Sequence, residues 1–209
     1  MQRRSSKVVS EKDPKAHLIA SGVLKRGGFV VAPTDTIYGI LADATNYDAV
    51  RRLYDLRRPS RRPFIVLVPD IFWVRKLGLE ADGRAVSLIL KPYITAVLKK
   101  RFPLFHWLGR ESVAVRVPRR GFVRRVLEVL GRPLVAPSAN REGEPPARSV
   151  EEAFLYFGDM VSLYVDGGVI SGRPSALLDV REGLKVLRRG PYTEESIDRL
   201  LRPQPPSRG

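Results

Sequence analysis

The chain has 209 residues, 44% of them hydrophobic, enough for one well-filled core. Lysine and arginine number 37 against 22 acidic residues, a net charge of +15 that biases the surface toward anions such as nucleotides, pyrophosphate or RNA. The absence of cysteine excludes disulfides, thiolate nucleophiles and zinc ribbons, and with only His17 and His106 a histidine metal site or a Ser-His-Asp triad has almost nothing to draw on.

The charged amino terminus, Met1 to Lys15, lacks the apolar run of a signal peptide, and no stretch of about eighteen apolar residues runs together as a spanning helix needs. The expectation is a cytoplasmic protein with no membrane partner. Residues 1–12, polar and basic with nothing to bury, read as a disordered tail, and the Pro-rich residues 203–209 as a loose one. Residues 13–202 then form one domain.

From Pro14 to Arg26, Ala16, Leu18, Ile19, Val23 and Leu24 recur mostly at helical spacing, and Gly27-Gly28 supplies a left-handed stop. Phe29-Val30-Val31 reads as a short buried strand. Pro33 removes a backbone donor and ends regular pairing, so Thr34 to Gly39 leaves the sheet as a turn carrying two hydroxyls, a carboxylate and a phenol. Asn46 and Asp48 offer caps for a helix through Val50, Leu53, Tyr54 and Leu56, ending at Arg57-Arg58-Pro59.

Phe64 to Val68 is a continuous apolar run, the mark of a central strand. Residues 70–91 are helical in two pieces, broken around Gly78 and Gly83. Tyr93 to Leu98 and Val113 to Val117 are strands, with an aromatic-rich loop from Phe102 to Gly109 between them. An amphipathic helix from Gly121 to Leu130 leads to the strand Leu134-Val135-Ala136. After a loop from Ser138 to Arg148, Ser149 and Glu152 form a capping box for a helix from Val150 to Phe157. Strands at Ser162–Val165, Ala176–Val180 and Leu184–Leu187 precede a closing helix from Thr193 to Leu201. Strands interspersed with helices imply an α/β fold, a twisted mixed sheet with helices layered on it.

Three strands end in proline followed at once by polar or basic residues: Ala32-Pro33-Thr34, Val117-Pro118-Arg119 and Ala136-Pro137-Ser138. If those ends share one edge, the tips at Thr34–Tyr38, Ser112–Arg116 and Ser138–Asn140 line a single crevice. Arg57, Arg58, Arg61 and Arg62 form the densest basic cluster. Guanidinium forks match phosphate oxygens, while on charge alone the cluster reads as a solvated basic face. No Walker loop and no G-x-G-x-x-G turn occurs, so a bound nucleotide is gripped by another device.

The run V-A-P-S-A-N-R-E-G-E-P-P, with P-T-D-T-I-Y-G upstream, S-V-A-V-R-V-P between, and Gly167-Gly168 then Gly172-Arg173-Pro174-Ser175-Ala176 downstream, resembles the YrdC-like family of threonylcarbamoyl-adenylate synthases. The blocks keep the family's order and spacing across residues 28–190. The resemblance implies synthesis of threonylcarbamoyl-AMP and pyrophosphate from L-threonine, bicarbonate and ATP, with Mg²⁺ accompanying ATP. A second enzyme system then transfers the group to N6 of adenosine 37 in tRNA, making tRNA or tRNA-modification proteins possible partners. The chain stops soon after the closing helix, so the expected form is the short, single-domain one.

By the same resemblance Thr36, Tyr38, Arg116, Ser138 and Ser175 would hold threonine, Arg116 through its carboxylate. Arg58, Arg62, Ser112, Asn140, Arg148 and Arg188 would contact the nucleotide. The family's Lys-x-Arg-Pro motif is altered: Arg57 stands where the lysine belongs and Arg58-Pro59 follows directly, leaving Arg57 and Arg58 as the expected phosphate-stabilising pair. Leu67 stands where longer members carry a threonine-site histidine, and Ala176 replaces a threonine; both would make the pocket less polar. The rival expectation is a non-catalytic relative that binds structured RNA or nucleotide on a basic concave face, which fits the charge and the altered motif.

Overall fold

A computed structural model of the chain describes residues 7–201. The expected tail at 203–209 and the first six residues lie outside them. One mixed sheet of ten strands forms the centre, in the order β1-β8-β2-β3-β7-β4-β6-β5-β9-β10. The strands are β1 (Lys7–Ser10), β2 (Val30–Pro33), β3 (Tyr38–Asp43), β4 (Ile65–Leu67), β5 (Ile94–Lys99), β6 (Ser112–Arg116), β7 (Leu134–Val135), β8 (Leu163–Asp166), β9 (Ala176–Asp179) and β10 (Lys185–Arg188). Helices α1 (Ala16–Lys25) and α5 (Phe122–Leu130) cover one face. On the other lie α2 (Tyr47–Arg57), α3 (Phe72–Lys76), α4 (Gly83–Ile89) and α6 (Val150–Phe157), while α7 (Glu194–Leu201) closes the β10 end.

Burial on both faces explains the continuous apolar strands. Val30 and Ala32 of β2 face the α1/α5 layer with Leu41, Leu67 and Leu134, whereas Val31, Ile40, Val66 and Val135 face the opposite layer. That is the period-2 alternation of a strand, hidden in the sequence because both sets are apolar. In α5, Phe122, Val123, Val126, Leu127 and Leu130 make one buried stripe, and Gly131 ends the helix at φ +66°. The Asn46 side chain caps α2 by accepting from the Ala49 amide at 3.0 Å.

Two local expectations fail. Residues 7–10 are not an unstructured tail but an edge strand, parallel to β8 in the register Val9 to Val165, because Val9 gains a buried place in the α1/α5 layer. The turn after Pro33 ends two residues earlier than the sequence suggests: Pro33 pairs with Tyr38, and Tyr38–Asp43 is a fully buried strand antiparallel to β2. Proline needs only an unpaired N–H position, which the last residue of β2 provides. Among the described residues no helix is long and apolar enough to cross a membrane.

Candidate active site

The β2–β3 turn is held by its own hydroxyls. Thr34 Oγ1 accepts from the amides of Thr36 and Ile37 at 3.2 and 3.3 Å and donates to the Ile37 carbonyl at 2.7 Å. Its single proton being so used, the 3.1 Å contact with Thr36 Oγ1 has Thr36 as donor, which leaves Thr36 free to accept from Arg116 Nη1 at 3.3 Å. Gly172 lies against the turn, where a β-carbon would stand 2.1 Å from the Thr36 carbonyl oxygen. Only glycine lets the 167–175 loop close this far.

Arg116 ends β6 with its side chain 5% exposed, and Asp35 of the turn, 4% exposed, approaches Nη2 to 3.0 Å. The approach lies off the hydrogen-bonding axis, so Asp35 Oδ1 and Arg116 Nε both stay buried without a hydrogen-bond partner and the attraction is Coulombic. Burial lowers the proton affinity of Arg116, Asp35 opposes that, and the like charge of Arg188 adds to it. Arg116, Thr34, Thr36, Tyr38, Arg58, Pro137, Ser138, Ser175 and Arg188 line one cavity of about 100 Å³. The structure thus brings together the proline-stopped ends of β2, β6 and β7.

Ser175, 1% exposed, shares a 2.8 Å hydrogen bond with Thr95 Oγ1, and its carbonyl accepts from Arg188 Nε at 2.9 Å. Tyr38 is a strut: its hydroxyl donates to the Gly168 carbonyl at 2.8 Å and accepts from the Gly167 amide at 2.9 Å. Burial raises its pKa and the Gly167 amide lowers it in part. Arg58 leans over Phe64 and donates Nη1 to the carbonyls of Arg62 and Pro63, with Nε buried and unpartnered at the cavity wall.

Other expected site residues stand elsewhere. Arg57 is no free phosphate cation: it is 4% exposed and committed to the Ser138 carbonyl, Ser138 Oγ and Asn140 Oδ1 at 3.2, 3.0 and 3.0 Å. Burial first, and then the charge of Arg58, bring its pKa down to about 10, which leaves it protonated at neutral pH. Asn140 in turn donates to the carbonyls of Arg141 and Glu144, so both residues shape the Ser138 loop. Ser112 pairs with Lys99 at the opposite end of β6, four residues or about 13 Å from Arg116. Arg148 is exposed and engaged by Glu152 at 3.1 Å, and Arg62 by Glu142 at 3.0 Å. Leu67 and Ala176 are fully buried in apolar clusters and do not line the cavity, so neither alters its polarity.

Two contributors escaped the sequence reading, as did the partner of a third. Thr95 carries no signal in a strand 80 residues from Ser175. Glu142 lies in the V-A-P-S-A-N-R-E block, but its role as acceptor from the Ser60 hydroxyl and amide is purely tertiary. Asp35 was visible as the one carboxylate of P-T-D-T, and an apolar strand end opposite carrying Arg116 was the clue to its partner.

A family model described as "Telomere recombination", for Sua5, YciO and YrdC, matches residues 22–190. The chain belongs to the Sua5/YciO/YrdC family. A Sua5/YciO/YrdC relative from Bacillus subtilis, named threonylcarbamoyl-AMP synthase, is 31% identical over 93% of this chain and 59% of its own length. A protein of the same name from Coxiella burnetii is 30% identical over 79% of this chain and 92% of its own length. The structure of Pyrococcus abyssi Sua5 complexed with L-threonine superposes with a TM-score of 0.81 at 27% identity, covering 94% of this chain and 59% of that one. The chain therefore spans about three fifths of the Bacillus and Pyrococcus relatives.

Proposed function

We propose that this chain is an L-threonylcarbamoyladenylate synthase. The observation that carries the reading is the cavity itself: a buried guanidinium and five hydroxyl-bearing side chains, Thr36, Ser138 and Ser175 among them, surround about 100 Å³ next to Arg58 and Arg188. That volume is well below the roughly 300 Å³ and more of drug-sized ligand pockets. It suits a small amino acid whose carboxylate meets Arg116, with the nucleotide lying outward over Arg58 and, beyond it, Arg62. The names of the relatives and the threonine bound to Pyrococcus Sua5 support the same substrate.

In the reaction the threonine amine forms a C–N bond to bicarbonate carbon with loss of water. A carbamate oxygen then bonds to the α-phosphorus of ATP as the bond to pyrophosphate breaks. Both steps gather negative charge on oxygen, which fixed cations and hydroxyl donors stabilise without reorganising. Among the described residues no carboxylate or imidazole lines the cavity, and the lining present offers binding, orientation and charge stabilisation. Among the described residues no three carboxylate or histidine side chains cluster, and Asp35 and Glu142 are each engaged by arginine. The donors present do not fit a resident metal, and Mg²⁺ belongs with ATP as part of the substrate. The product would pass to a tRNA-modifying system acting on adenosine 37.

The test is pyrophosphate release with ATP, Mg²⁺, bicarbonate and threonine, compared with serine and valine at equal concentration. Release should require bicarbonate and be greatest with threonine. Equal rates with all three amino acids, or none with threonine, would overturn the reading in favour of a nucleotide- or RNA-binding relative.

A further inference from the structure

Asp35 reaches Arg116 from behind. Its carboxylate is buried and is not among the groups lining the cavity, whereas Arg116 is. The pair is therefore nearly neutral as seen from the cavity, even though the surroundings are strongly cationic: Arg188 and Arg58 line the same space, and the chain carries a net charge of +15. Without Asp35, three guanidinium groups would face about 100 Å³ with no counter-charge. Such a site would favour the most highly charged small anion available.

We propose that Asp35 is a specificity-determining residue that tunes the cavity to a singly charged carboxylate and keeps phosphate groups out of it. This rests on the reading of the cavity as the amino-acid site. An enzyme that binds ATP and releases pyrophosphate beside an arginine-lined amino-acid pocket faces a sorting problem, since phosphate oxygens match a guanidinium fork as well as a carboxylate does. Size cannot solve it, because one phosphate group fits where a small amino acid fits. Charge can. The buried carboxylate cancels one cation at close range, so a monoanion with hydrogen-bonding groups for Thr36, Ser138 and Ser175 remains attracted while a dianion loses its advantage. Asp35 contacts Arg116, not the ligand, and is in that sense a positioning residue.

The experiment is titration of inorganic phosphate, with neither ATP nor threonine present, into the wild-type protein, Asp35→Asn, Asp35→Glu and the uncharged double variant Asp35→Asn/Arg116→Gln. Asp35→Asn should gain a phosphate-binding event at least about tenfold tighter than any in the wild type and weakened by salt. The double variant should lose that event, and Asp35→Glu should stay close to wild type. In turnover, phosphate should compete with threonine in Asp35→Asn and leave the wild type unaffected. Unchanged phosphate affinity in a folded Asp35→Asn would overturn the proposal, as would an added event that persists in the double variant. If threonine supports no pyrophosphate release in the wild type, the functional reading fails by itself, and the calorimetric arm still decides whether Asp35 screens Arg116 from phosphate.

Discussion

The Arg116 cavity and the Arg58–Arg62 loop are both built from arginine, and they differ in what holds the arginine. In the cavity Arg116 and its partner Asp35 are both about 95% hidden from solvent. Thr36 is fixed by a relay of hydroxyls, and Ser175 by Thr95. In the loop Arg62 is 73% exposed and paired with Glu142, itself partly open to water, while Arg61 pairs with Asp55 on the surface. Buried pairs fix geometry because separating them strands a charge in low dielectric, whereas exposed pairs exchange freely with water and ions. One region thus holds a fixed geometry, while the other can exchange its cations with incoming anions.

The sharpest way to break that contrast is Arg116→Met. It leaves Asp35 buried without a cation, which should cost about 3–5 kcal/mol and lower Tm by on the order of 10 °C. The threonine requirement should rise by roughly ten- to a hundredfold, and lysine should not rescue it, because a point charge cannot serve Thr36 and Asp35 together. Differential scanning calorimetry and pyrophosphate release check the two parts, and an unchanged Tm would mean the pair is not held tightly.

Next in size is Arg57→Met, which strips donors from the Ser138 carbonyl and hydroxyl and from Asn140. The loss should be about 2–3 kcal/mol by urea denaturation. Threonine binding should weaken through the misplaced Ser138, and a purely phosphate-binding arginine would instead leave stability intact. Thr95→Val removes one buried hydroxyl partner of Ser175 and should cost about 1 kcal/mol, with KM for threonine rising more than kcat falls.

The smallest stability effect belongs to Glu142→Gln, which should lower Tm only slightly, because the clamp is open to solvent and a glutamine oxygen can still accept from Ser60. Freed Arg62 should instead improve ATP affinity a few fold at low salt, an advantage that calorimetry at high salt should erase. The wild-type clamp also has an acid limit. Hydrogen bonds from the Ser60 hydroxyl and amide, then from Arg62, hold the Glu142 carboxyl at about 2 against an ordinary 4.5. A depressed carboxylate contributes fully above its unfolded value and loses that contribution as pH falls through the folded one. Wild type and Glu142→Gln should therefore still differ in ATP affinity below the ordinary carboxylate value, and convergence with a midpoint near 4.5 would show that the clamp is loose.

The family blocks were legible because they are local: two of them are apolar strands closed by proline with their polar residues immediately after, at Pro33-Thr34 and Pro137-Ser138. The roles inside them were less so. Arg57 and Arg58 are neighbours in the chain, and nothing in the sequence says that one turns into the Ser138 loop while the other faces the cavity. β1 was missed because four polar-flanked residues carry no period, and their strand exists only through β8, more than 150 residues away. Tyr38–Asp43 was missed because a strand buried on both faces shows no alternation.

By itself, then, the sequence determined the α/β class, the helix caps and stops, the cationic character of the site and the set of polar strand ends, all of which depend on residues within a turn or a strand of one another. Tertiary structure alone decided which of those groups meet. Ser175 finds Thr95, Glu142 finds Ser60, and Asp35 finds Arg116 because mixed parallel and antiparallel pairing carries distant segments to one edge of the sheet. Charge partnership in a buried site depends on distances of a few ångströms, and strand order, which local propensity does not encode, sets those distances.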